Sequence, residues 1–384
     1  MKPILQVCSL WFVFLSGCAV FQTEPPKTFQ LQANWSRSSL SVRNYLGSRS
    51  GHVGGTALGN KTVIVGNAID SLKAFDLEDG NEIWSRQIEA GVPTGVTILD
   101  GIVYAGGGDG SMYALNIKDG SLTWKYPSRA EIIAPATLDD KVLYFQNAQG
   151  FVYALDKKNG DKIWMFTRPL GAGSSIRGGP SPVMTKNLVI VGFPDGQLVA
   201  LNKIDGSVKW ERNLLIKRRF SDIQGLVVHE EKLIATVFDG PIHVFDAQTG
   251  SDYWQKDWSI DSNVTIVGGV GYLSTSDSQI KAFKLGDGEV IWSYDQVRGH
   301  GTKPVVEAGI LFVGETEQGL LALDASTGRF LARFTPARGV MATPSVDKDK
   351  NLVFFHTIDS VVWSLKWLRG NPLEKFEFQR PIIH

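Results

Sequence analysis

Ala114-Leu-Asn-Ile-Lys-Asp-Gly120-Ser-Leu-Thr-Trp124 decides the fold, because the chain keeps returning to it. The same spacing of Ala, Gly and Trp runs from Ala74 through Gly80 to Trp84, and from Ala154 through Gly160 to Trp164. It recurs from Ala200 through Gly206 to Trp210, and from Ala282 through Gly288 to Trp292. A sixth copy has Val244 in the Ala place, followed by Gly250 and Trp254. A seventh keeps Ala322 and Gly328 but ends in Ala332. Successive glycines stand about 40 residues apart, the period of a propeller blade.

The motif reads as a hairpin. One strand ends in a polar residue followed by Gly, which supplies a positive φ at little cost, and the next strand carries the Trp. A Trp four residues beyond the turn is large enough to fill the space between neighbouring sheets, so these tryptophans read as core rather than as ligand contacts. Working outward, each repeat holds about four strand-like runs. Gly95-Val-Thr-Ile-Leu, a turn at Asp100-Gly101, Ile102-Val-Tyr-Ala105, a turn at Asp109-Gly110, and Ser111-Met-Tyr-Ala-Leu precede the Gly120 turn. Short β-rich runs separated by Gly-containing turns predict an antiparallel meander.

At the N-terminal end, Trp35 looks like a Trp-bearing strand without its preceding hairpin. At the C-terminal end, Asp359-Ser360-Val-Val-Trp363-Ser-Leu365-Lys looks like a hairpin without its Trp, since the expected place is Glu374. The two halves predict one blade completed by the N-terminal strand, which closes the ring and hides its strand edges. The expected fold is therefore all-β: an eight-bladed propeller of four-stranded antiparallel blades at residues 33–367, with a tail at 368–384. Two spacings are stretched, and the extra residues fall at Arg168 to Pro182 and Leu214 to Gly225. Insertions in repeat proteins map to loops on one face, often the binding face.

Composition bounds the function. The chain has 384 residues, 43% hydrophobic and 20% charged, with a net charge of +0. No long-range field would draw it to nucleic acid. The two cysteines, Cys8 and Cys18, both precede the repeats, so the folded part carries neither a disulfide nor a thiolate metal site. Residues 1–17 read as an export signal, with Lys2 as the positive start and Ile4 to Leu15 as an apolar core too short for a confident span. The segment ends in Leu15-Ser16-Gly17-Cys18, which resembles the bacterial lipobox. That resemblance implies cleavage before Cys18 and its lipidation, with Ala19 favouring the outer membrane. Residues 18–32 then form a lipidated tether, where Glu24-Pro25-Pro26-Lys27 suits neither helix nor central strand.

The usual catalytic patterns are missing. His52, His229, His243, His300, His356 and His384 make no metal-ligand pair at close spacing, and there is neither a G-x-S-x-G elbow nor a P-loop. His300, in Arg298-Gly-His-Gly-Thr, reads as a turn or rim residue. Gly106-Gly107-Gly108 reads as a close backbone approach, and Lys217-Arg218-Arg219 as a solvated loop or a protein contact. No catalytic, metal or cofactor residue is assigned.

The Ala-x-Asp-x-x-x-Gly-x-x-x-Trp pattern resembles the repeat of pyrroloquinoline-quinone-type propellers. Together with the lipobox, the eight repeats and the closing Trp35, the chain resembles the BamB family of lipoproteins from the machinery that assembles outer-membrane β-barrels. The resemblance implies a non-enzymatic scaffold on the periplasmic face of the outer membrane, without a cofactor. It would bind the periplasmic POTRA domains of the barrel component BamA, with nascent barrel proteins as a further implied partner. A family loop with the pattern Leu-x-Leu-Arg-Gly corresponds to Ser174-Ser175-Ile176-Arg177-Gly178, so Ile176 and Arg177 carry over while Ser174 departs. A second, Arg-x-Ser-Asp-x-Asp, corresponds to Arg219-Phe220-Ser221-Asp222-Ile223-Gln224, so Asp222 carries over while Gln224 departs. Arg177 can fork onto a partner carboxylate beside the apolar Ile176. Asp222 either holds Arg177 or pairs with a partner lysine. Two other readings share the blades: a quinoprotein-type dehydrogenase, and an envelope propeller that binds another protein or a polysaccharide.

Overall fold

The computed structural model describes residues 28–40, 53–69, 71–168, 179–214 and 222–370. These form eight antiparallel sheets of four strands each. In blade 2 the order outward from the axis is Thr97–Leu99, Ile102–Gly106, Ser111–Asn116 and Leu122–Pro127. Blade 8 is built from both ends of the chain: Thr28–Ser38 is its outer strand, paired with Val361–Gly370 from Thr28↔Gly370 to Ser38↔Val361. Closure by the N-terminal strand is thus as expected, but the boundaries move. The outer strand starts at Thr28 rather than 33, and Leu368 pairs with Gln30 instead of opening a tail. The extension follows from the pairing itself, since each added residue finds ladder partners on the other strand.

The motif residues meet across the blades. Each Ala of the repeat lies directly opposite its Trp, as in Ala74↔Trp84, Ala114↔Trp124 and Ala200↔Trp210, and a bulge follows each pair. The small residue leaves room for the indole. In the split blade the same pair is Ser364↔Trp35. The ring of each Trp then reaches under the Gly turn of the next blade: Trp35 under Gly80, Trp84 under Gly120, Trp124 under Gly160, and so on to Trp292 under Gly328. Its indole N–H donates to a carbonyl of that turn, as in Trp84 Nε1 to Ile117 O at 2.8 Å and Trp164 Nε1 to Lys203 O at 2.8 Å. Trp210 is an exception, with its Nε1 buried and unpartnered.

This geometry explains why the seventh copy ends in Ala332. Blade 8 has no Gly turn, because its outer strand comes from the other end of the chain, so a Trp in blade 7 would have no turn to reach. Trp367 packs at that junction instead, 5.4 Å from the Phe312 ring. On the axial side, hydroxyls fasten the blades. Thr97 Oγ1 donates to Ala136 O at 2.6 Å, and Ser345 Oγ donates to Thr56 O at 2.6 Å, across the ring closure.

The core is eight separate clusters, each lying between two neighbouring blades. Middle strands such as Leu188–Gly192 are buried throughout. Outer strands such as Glu82–Gln87 bury only the Trp fully. Blade–blade packing through the Trp and Gly pairs therefore carries the stability.

Gly120 tests that statement. Its φ is +68°, and an added Cβ would lie 2.7 Å from the Trp84 ring. Gly269 has a φ of +77° with nothing within 4 Å of an added Cβ. Gly269→Ala is expected to cost only the backbone penalty, about 1 kcal/mol. Gly120→Ala adds a clash with a packed ring and should cost about 2–4 kcal/mol in all. Urea unfolding of the two variants checks the difference; equal losses would mean that the Trp-under-Gly contact contributes nothing.

Candidate functional site

The ring has two unlike faces. One carries the Gly turns and the turns between first and second strands. The other carries the connections from each outer strand to the next blade, and both stretched spacings fall among those connections. Ile176, Arg177, Ser174, Arg219 and the Lys217-Arg218-Arg219 run lie outside the described residues, as does Cys18.

The described ends of the two insertions are firmly held. Arg168 pairs with Asp195 at 2.9 Å and lies 5.7 Å over the Phe193 ring. Leu214 is 6% exposed, and its N–H donates to Gly196 O at 2.8 Å. Asp222 is only 3% exposed, and its carbonyl accepts the Phe238 N–H at 2.9 Å. Of the two roles expected for Asp222, holding Arg177 or pairing with a partner lysine, the first involves a residue that lies outside the described ones. Gln224, the departure from the family pattern, has an internal function: its Nε2 donates to Asp261 O at 2.7 Å, bridging blade 5 to the next connection.

Between these connections, on the axis, lies a cavity of about 670 Å³. Its walls come from the connections entering seven of the eight blades, among them Thr94, Ile133, Gly179, Gln224, Asp261, Lys303 and Met341. Among its described lining residues three are ionisable. Asp261 Oδ2 and His300 Nδ1 stand 2.8 Å apart, so His300 is a rim residue with a specific partner. Lys303 is half-buried, and burial holds its pKa below the usual lysine value. The glycine run at Gly106 lies on this same face, where added Cβ atoms would meet Ile132 and the Ala90 carbonyl, as a close approach requires. Sequence reading missed the cavity and the Asp261–His300 pair, because their members sit in different repeats. Among the described residues no three His, Cys, Asp or Glu side chains converge to hold a metal ion.

Known proteins share both the sequence pattern and the ring. The family model described as outer membrane protein assembly factor BamB matches residues 68–294 and 276–373. The outer membrane protein assembly factor BamB of Bordetella pertussis is 26% identical over 345 residues, covering 86% of this chain and 88% of that protein. The crystal structure of BamB from Moraxella catarrhalis superposes with a TM-score of 0.74 at 21% identity, over 88% of this chain and 100% of that one. A quinohemoprotein alcohol dehydrogenase from Pseudomonas putida shares the fold at a TM-score of 0.71 and 16% identity, covering 92% of this chain and 78% of that one. With the family match running through nearly every blade, the chain belongs to the family of outer membrane protein assembly factor BamB.

Proposed function

We propose that the protein is a non-enzymatic scaffold in the assembly of β-barrel proteins into the outer membrane. It is held there by a lipid on Cys18, faces the periplasm and docks on the POTRA domains of a BamA-like barrel component. The family match from 68 to 373 carries this reading. The placement of the insertions supports the docking surface: the two stretched glycine-to-glycine spacings open on one face of the ring, in neighbouring connections with described ends at Arg168, Leu214 and Asp222. In this reading Arg177 forks onto a partner carboxylate, Ile176 supplies the apolar anchor, and buried Asp222 keeps the loop in place.

The test is affinity capture of the tagged lipoprotein from solubilised outer membranes. Wild type is expected to retain the barrel component, and Arg177→Glu to retain at least tenfold less at unchanged thermal stability, since reversing a forked charge pair costs several kcal/mol. Failure of wild type to capture it would overturn the docking reading. Equal capture by both proteins would leave docking in place and reject Arg177 as its contact. Addition of pyrroloquinoline quinone and calcium is expected to give no sustained oxidation of alcohols or sugars.

A further inference from the structure

We propose that the axial cavity is a binding site for a small organic carboxylate, with Lys303 pairing with its negative charge. The charge inventory of the cavity leads there. Asp261 and His300 face one another at 2.8 Å. Lys303 lines the same space, and its ammonium makes no hydrogen bond or ion pair among the described residues. The half-buried group thus has no ion-pair partner among the described residues, while Asp261 on the same wall is engaged by His300. An ammonium without an ion-pair partner favours a ligand group that carries negative charge.

The rest of the wall fits an organic body rather than an inorganic ion. Ser181 and Thr343 place hydroxyls on the cavity without a protein partner, and Ile133 and Met341 add apolar surface. Gln224 also lines the space, and its Oε1 is buried with no hydrogen-bond partner. Below the wall, both amide atoms of Gln146 are likewise buried and unpartnered, and Gln146 Oε1 is 3.5 Å from where a Cβ on Gly179 would lie. Unsatisfied buried polar groups are few in native proteins, and each calls for an explanation such as a missing partner. Two such side chains, Gln224 and Gln146, lie on or against the axial cavity. A volume of about 670 Å³ is within the range of small-molecule sites. The polar groups come from separate blades, so the ring itself assembles the site. Pairing would also raise the lowered pKa of Lys303, so binding takes up protons at alkaline pH and weakens as pH rises.

Isothermal titration calorimetry on the full lipoprotein in detergent tests the proposal, with benzoate, neutral benzamide and inorganic phosphate as probes. Benzoate is expected to bind at one site per chain, at least tenfold more tightly than benzamide or phosphate. Lys303→Met should weaken benzoate at least tenfold, and Lys303→Arg should retain it within about threefold, because the charge remains. The Lys303→Met protein should melt at or above the wild-type temperature, since it loses a desolvated charge that has no partner. Equal binding of benzoate and benzamide, tighter binding of phosphate, or full benzoate binding by Lys303→Met would each overturn the assignment. A marked fall in the melting temperature of Lys303→Met would do the same, by making the lysine a structural group. The proposal does not rest on the docking reading.

Discussion

Trp35→Ala is expected to destabilise the protein by about 3–5 kcal/mol and to open the ring at one place. Trp35 is 2% exposed, and its ring lies 6.3 Å from that of Phe75 and 5.8 Å from that of Phe354. Its Nε1 donates to Leu77 O at 3.2 Å, and its ring fills the space against Gly80. It therefore touches blade 1 while belonging to the outer strand of blade 8. Truncation leaves a cavity and removes the largest apolar side-chain contact between the first and last blades. Trp84→Ala removes a similar ring, but from a junction where the chain runs directly on into blade 2. The stability losses should be similar in urea, whereas the consequences for local opening should differ. Hydrogen exchange of the amides in Val361–Gly370 should accelerate strongly in Trp35→Ala and little in Trp84→Ala, because only the former frees the strand that covers them. Unchanged protection of those amides in Trp35→Ala would show that backbone pairing alone keeps the ring shut.

Acid should loosen the same closure through His356. This imidazole is fully buried, and burial pushes its pKa down to about 4. Its Nδ1 lies 3.1 Å from Gly54 O and its Nε2 lies 2.9 Å from Ser39 Oγ. A carbonyl only accepts, so Nδ1 carries the proton and Nε2 accepts the Ser39 hydroxyl hydrogen. The neutral ring thus ties the segment after the first strand, the start of blade 1 and the second strand of blade 8 together. An unfolded histidine titrates near 6.5, so between that value and about 4 the unfolded chain binds more protons than the folded one. The contribution is fully present above pH 6.5 and is lost as pH falls through 4. The loss is about 2 kcal/mol at pH 5 and about 3 kcal/mol in all. Urea midpoints of wild type and His356→Gln, measured from pH 7.5 to 4.5, check the sign. The variant should be less stable at neutral pH and should lose less on acidification. Parallel profiles would assign the acid sensitivity to other groups.

The architecture was readable because it is periodic. The Ala, Gly and Trp spacing reports a local hairpin, and a hairpin that repeats at constant spacing implies a ring. The split motif at Trp35 and Ser364 likewise pointed to closure. What could not be read depends on contacts between blades. The loss of Trp at Ala332 makes sense only once blade 8 is seen to lack a Gly turn. Thr28 and Gly370 belong to the propeller because they pair with each other across the whole chain length, a register that neither end specifies alone. Asp261 and His300 meet from connections in successive repeats, and no linear motif records their 2.8 Å approach. Asp222 was singled out through its sequence pattern, yet its burial is a matter of packing.

The direction of the closing strand has one more consequence, for orientation. In every complete blade the outer strand rises from the Gly-turn face toward the face of the connections. Thr28–Ser38 runs antiparallel to Val361–Gly370 and keeps that sense, so Thr28 is at the Gly-turn face. With the lipid on Cys18, the leash between anchor and ring is ten residues, at most about 35 Å when fully extended. It leaves from the rim of the Gly-turn face. Under the proposed anchoring, that side of the disc would stay nearest the bilayer, and the side with the insertions and the cavity mouth would look outward into the periplasmic space. A single β-strand, chosen to shut the ring, would also set which way the molecule faces.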